Sequence, residues 1–165
     1  MSSEADIEKI VAQEQGLVFE RFDEDIAFAL VGHVRDAANA AGKGIAVCVY
    51  LWDRTLCIGM TAGASSHNLT WAERKVGTVR LLHKSSYRLV LERGDKPRLL
   101  EPSWAADPAS YAIAGGAFPI HVKGLGFVGA ISTSGLPERD DHGFGVAAVC
   151  AALGRDPADW MLRPA

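Results

Sequence analysis

Apolar positions along this chain recur with two periods, and each change of period marks an element. From Ser2 to Gln15, Ile7, Ile10 and Val11 fall at helical spacing, and Gly16 stops the pattern. Leu17-Val18-Phe19 follows as a short apolar link. Asp23 is placed to cap a helix running to Ala41. Glu24 and Asp25 suit its positive end, and Ile26, Leu30, His33 and Ala37 share one face. His33 on that face reads as a hydrogen-bonded core or interface residue. Two runs rich in β-branched residues, Ile45 to Trp52 and Thr55 to Thr61, enclose Asp53-Arg54 and predict a hairpin. Asn68 then caps LTWAERKVGTVRLLHKS, with Leu69, Ala72, Val76, Val79 and His83 as its core stripe. Ser85-Ser86 breaks that helix, and Tyr87 to Glu92 adds one apolar turn before Gly94. Lys96 to Ser110, with three prolines and Trp104, reads as an ordered irregular connection.

The second half repeats the order of strand pair and helix. Ala117 to Lys123 and Phe127 to Thr133 read as strands joined by Gly124-Leu125-Gly126, and Pro119 argues for an edge position. Pro137 opens a helix ending at Gly154. Phe144, Ala147, Ala148 and Ala151 share one of its faces, and His142, Val146, Val149 and Leu153 another, so deep burial is expected. The pattern therefore predicts one α/β (α+β) domain over residues 1–165, with an antiparallel sheet from two β-hairpins flanked by helices. Residues 1–16 would form an N-terminal helix and 154–165 a C-terminal tail.

Gly124, Gly126 and Gly129 spell G-x-G-x-x-G. A dinucleotide loop needs a helix to open there, but the β run AISTS continues, and position 150 is a cysteine rather than an acid.

Composition narrows the function. With 48% apolar residues, 165 residues can bury a core unaided. The net charge of −3 and the lack of a basic stripe exclude a nucleic-acid footprint. No apolar run approaches the roughly 20 residues of a membrane span. MSSEADIEKI lacks the features of a secretory signal, so a cytoplasmic protein is expected. Cys48, Cys57 and Cys150 form no CxxC pair and read as reduced, buried thiols. Histidine spacings match no zinc motif, and no G-x-S-x-G elbow is present, so neither a metal site nor a serine nucleophile is expected.

Candidate chemistry sits on two helices. Beside the core stripe of the 68–84 helix runs a second one: Trp71, Lys75, Thr78 and Leu82, with Arg74 further out. Lys75 either lays its stem along apolar surface with its ammonium in water, or is a partly desolvated cation holding a carboxylate or phosphate from a ligand or neighbouring subunit. His142 heads an apolar stripe next to Asp140 and Asp141. It reads either as a core or interface histidine or as half of an Asp–His pair for proton transfer or ligand binding.

Four blocks carry a family resemblance: FDEDIAFAL at 22–30, HNLTWAERKVGTV at 67–79 with Ser85-Ser86, GGAFPI at 115–120, and GFVGAISTSGLPERDDHG at 126–143. Over about residues 17 to 153 the chain resembles the haem-degrading-domain superfamily, GlcG-like or HbpS-like, and within it unknown protein family 0303. The resemblance implies a profilin-like or PAS-like sandwich and a symmetric homo-oligomer, a dimer or higher. Relatives bind haem, but no axial ligand carries over to a position here, so haem rests on the resemblance alone.

Three readings follow. The first is an oligomeric binding module for a small anionic ligand. Its site would join Lys75 and Arg74 as cations, Trp71 as a wall, Asp141 and His142 as polar anchors, and Ser86, Gly115 and Gly116 from the matching blocks. The second is an enzyme using His142 and Asp141 as acid and base, with Lys75 stabilising negative charge. The third is a scaffold acting through protein contacts.

Overall fold

The structure, a computed structural model, describes residues 3–163. Its strands are β1 (Val18–Phe19), β2 (Ala46–Leu51), β3 (Arg54–Met60), β4 (Ala117–Val122) and β5 (Gly126–Ser134). Its helices are α1 (Ser3–Gly16), α2 (Glu24–Ala40), α3 (Ser66–Leu82), α4 (Ser86–Arg93) and α5 (Glu138–Ala152). The strands pair into a sheet of order β1-β4-β5-β2-β3, making an α+β fold.

Alternation along the strands sorts the core onto two faces. Val47 and Val49 of β2 meet Leu30, Val34, Val146 and Val149 beneath α2 and α5. Cys48 points the other way, to Ala72, Val76 and Val79 of α3. A smaller cluster, with Ile10, Tyr87, Val90 and Tyr111, joins α1 and α4 to the sheet end. Cys48, Cys57 and Cys150 are free and buried.

Both hairpins form, with differences. Leu17-Val18-Phe19 is more than a link, because Val18 and Phe19 pair in parallel with His121 and Val122. Two residues cannot show an alternation, so the pairing was illegible. The sheet is therefore mixed rather than antiparallel throughout. Leu51 pairs with Arg54, so Trp52-Asp53 makes the first turn instead of Asp53-Arg54. Trp52 is held there by its indole N–H, which donates to the Phe127 carbonyl at 2.8 Å. Pro119 sits on β4, which β1 covers only at His121 and Val122. Gly129 is required by close approach, since a Cβ there would lie 2.0 Å from the Tyr50 carbonyl oxygen. The glycine pattern thus serves a hairpin.

Helix ends and faces also moved. Ser65, not Asn68, begins α3, and Asn68 reaches back to accept the Ser65 N–H at 2.8 Å. The buried face of α2 is Ala27, Leu30, Val31, Val34 and Ala38, which leaves Ile26, His33 and Ala37 half-buried at its edge. On α5, His142, Val146, Ala148 and Val149 are buried, but Phe144 and Ala147 are half-buried and Ala151 is exposed. The Phe144 face is thus only partly covered. In the C-terminal tail, of which residues 154–163 are described, Pro157–Asp159 form a 3-10 turn, and the Trp160 ring packs so closely on Gly16 that a Cβ there would meet it at 2.4 Å. No described helix is long and apolar enough to cross a membrane.

Candidate functional site

Lys75 lies on the side of α3 that faces the end of β5, so its stem enters the interior. It is 3% exposed, and its ammonium donates to the Thr133 carbonyl at 3.0 Å and the Asp141 carboxylate at 2.9 Å. Both readings are therefore corrected: the ammonium does not reach water, and the carboxylate it holds is the chain's own Asp141. Asp141 is equally buried, and its other oxygen accepts the Leu136 N–H at 3.1 Å. The Thr133 hydroxyl donates to the Asp141 carbonyl at 2.6 Å, tying the strand end to the first turn of α5. Gly116 makes room: its φ is +137°, and a Cβ would sit 2.3 Å from the Thr133 oxygen and 2.8 Å from the Lys75 nitrogen. Burial pushes the Asp141 carboxyl up to about 6, against the pull of Lys75 and the backbone N–H groups.

Ser86 and Gly115 flank this centre and are likewise engaged by the chain. The Ser86 hydroxyl oxygen accepts the Ala117 N–H at 2.9 Å, and the Gly115 N–H donates to Glu138 at 3.0 Å.

His142 follows Asp141, and one helical step of about 100° turns it into a different layer. It is fully buried between the rings of Tyr87 and Phe118, whose centroids lie 5.5 and 5.9 Å from its own. Its Nε2 meets Gln13 Oε1 at 2.9 Å. The Gln13 amide nitrogen donates to the Trp160 carbonyl at 2.7 Å, so His142 Nε2 carries the proton. Its Nδ1 has no partner among the described residues. Burial pushes this imidazole down to about 3, so it is neutral. The Asp141–His142 acid–base pair is corrected accordingly: the two side chains bond to different elements, and neither meets the other.

Trp71 and Arg74 lie outside the closed centre. The Arg74 guanidinium stacks 4.8 Å from the Trp71 ring and donates to the carbonyls of Tyr111 and Pro108 at 3.2 and 2.9 Å. The Trp71 N–H donates to His67 at 2.9 Å. These residues clamp the 96–110 connection to α3. The expected eight-residue site is therefore three arrangements: Lys75, Asp141 and Gly116 with Ser86 and Gly115, then His142 with Gln13, then Trp71 with Arg74.

The open concavity lies elsewhere. A groove of about 630 Å³ runs between the end of α2, the start of α5 and the C-terminal segment. Leu136, Phe144, Ala147 and Met161 give it apolar walls, and Lys43 and Arg163 supply cations. Asp140 also lines it. Arg139 reaches it but is bound bidentately by Asp6, at 2.6 and 3.1 Å. Sequence reading missed this groove. The usable signal was the apolar face of α5 that carries Phe144 and Ala147, which the core covers only in part.

Haem, which the resemblance implies for relatives, needs an axial donor facing an apolar slot. None of the histidines lines the groove. His142 is walled in by its two aromatic neighbours, His67 accepts from Trp71, and His83 stacks on Trp52 at 6.2 Å. His121 bonds the Glu14 carbonyl at 3.2 Å. No histidine is therefore placed to ligate haem in the groove. Among the described residues no group of three or more His, Cys, Asp or Glu could hold a metal ion.

Comparison with known proteins fits this architecture. The haem-degrading, HbpS-like family model matches residues 22–150. A UPF0303 protein of Brucella ovis is 48% identical over 159 residues, covering 96% of this chain and 94% of the relative. The crystal structure of Ybr137w protein superposes with a TM-score of 0.79 at 26% identity, over 88% of this chain and 86% of that one. HbpS itself shares the fold at a TM-score of 0.64 and 24% identity, over 82% and 92%. The PduOC:heme complex does so at 0.68 and 14%, over 79% and 94%. By family match and by close relatives, the chain belongs to the HbpS-like haem-degrading protein family and, within it, to the UPF0303 proteins.

Proposed function

We propose that this chain is a binding protein rather than an enzyme, taking a small molecule in the groove between α2, α5 and the C-terminal segment. The observation that carries this reading is the groove itself: about 630 Å³ is within the range of small-molecule sites. A contrast supports it. Lys75, Asp141 and His142, the residues with the chemistry for catalysis, are buried and hydrogen-bonded to protein groups. A general base must reach a substrate proton, and neither Asp141 nor His142 lines the groove. The closed Lys75 centre instead sets the shape of the groove, because Asp141 holds the N–H of Leu136, a wall residue. Self-association into a symmetric assembly, and a place inside the cell, complete the proposal, as the family resemblance suggests.

The test uses 8-anilinonaphthalene-1-sulfonate, an anionic dye that brightens on apolar surfaces. Wild-type protein should enhance its fluorescence with saturable, one-site-per-chain binding, and Ala147→Trp, which fills the groove, should abolish it without lowering Tm. Binding unchanged in Ala147→Trp would defeat the proposal.

A further inference from the structure

Resting on that reading, we infer that the groove's ligand is an amphiphilic monoanion, with one carboxylate-like head and an uncharged apolar body. The walls define the body. Leu136, Phe144, Ala147 and Met161 offer hydrocarbon, an aromatic ring and a thioether, surfaces that exchange water for an apolar chain or fused ring without leaving a polar group unpaired.

Charge defines the head. Three cationic side chains line the groove, but Arg139 is neutralised by its bidentate bond to Asp6. Lys43 and Arg163 have no carboxylate within 4 Å among the described residues. Among the described residues Asp140 is the one other unpaired charge lining the groove, and it is exposed. Among the described residues the local balance is two cations without an ion pair to one acid without one, so one added negative charge completes it. A dianion would leave a charge in excess, and a cation would find its only partner in Asp140 beside two like charges.

Lys43 is held for this role. It follows the end of α2, its N–H donates to the Ala38 carbonyl at 2.8 Å, and its carbonyl accepts the Thr61 hydroxyl at 2.7 Å. The backbone is thus fixed on both sides while the ammonium stays able to swing to a head group.

Three ten-carbon probes separate the ideas: decanoate, decanol and decylamine, each below its micellar concentration, displacing the anilinonaphthalene dye from the full chain. Decanoate should displace at about fivefold lower concentration than either of the others, the upper end of one exposed charge contact. Lys43→Gln should bring decanoate to parity with decanol once each displacement is corrected for the weaker binding of the anionic dye to the variant. If decanol matches decanoate, or decylamine surpasses it, in wild-type protein, the monoanion class is wrong although the groove binds. If the dye is bound equally by wild type and Ala147→Trp, the groove reading has failed and this inference with it.

Discussion

The Lys75 ammonium lies 2.9 Å from the Asp141 carboxylate, with both side chains withdrawn from solvent. Removing one partner strands the other in the interior, which costs about 3–5 kcal/mol, whereas replacing both with apolar groups is close to neutral. Lys75→Met should therefore lower the urea midpoint severely, and Lys75→Met/Asp141→Leu should recover most of the loss. A double variant no better than the single one would show that the pair is more than a packing device.

Asp141 and His142 are neighbours that respond to acid in opposite senses. His142 is held down near 3, so its stabilising effect is complete above its unfolded value near 6.5 and is lost as pH falls toward 3, by about 5 kcal/mol at most. Asp141 is raised to about 6, so its effect is complete below about 3.8 and is lost as pH rises through 6, by about 3 kcal/mol. Between pH 4 and 6 the two slopes oppose each other. Asp141→Asn should steepen acid destabilisation in that window, and His142→Gln should reverse it. Denaturant titrations from pH 4 to 7 with parallel curves for wild type and both variants would refute this assignment.

Gly116 is a second weak point of the same centre. Gly116→Ala would be forced into a left-handed conformation with its Cβ against the Thr133 oxygen and the Lys75 nitrogen. A loss of about 2–3 kcal/mol is expected from strain and from the displaced ammonium. In Lys75→Met/Asp141→Leu the same change should cost less, and a double-mutant cycle measures the difference.

Much of the fold was legible in the residues. Runs of β-branched residues broken by turn residues marked both hairpins, and the stripe on α3 placed Lys75 beside the core face without deciding its burial. The site was harder to read because spacing along a helix fixes which side chains share a face but not what lies opposite. Lys75 met Asp141, 66 residues away in sequence, only because α3 lies against the end of β5, from which the chain turns into the start of α5. His142 turned to Gln13, 129 residues away, on a helix whose partner could not be read from either sequence pattern. The groove needs α2, α5 and the C-terminal segment together, and none of the three announces it alone.

Haem provides a further check. With no histidine lining the groove and His142 enclosed, haemin should give no histidine-ligated low-spin spectrum with this protein. Such a spectrum, lost in a single histidine variant, would show a coordination site outside the groove.

The central claim is that small molecules meet the groove and not the Lys75 centre. Amide chemical-shift mapping with decanoate tests it most directly. The account predicts saturable shifts centred on Lys43, Leu136, Phe144, Ala147 and Met161, with Trp71, Arg74 and Lys75 still. Shifts centred on Trp71, Arg74 and Lys75, with the groove unchanged, would contradict it.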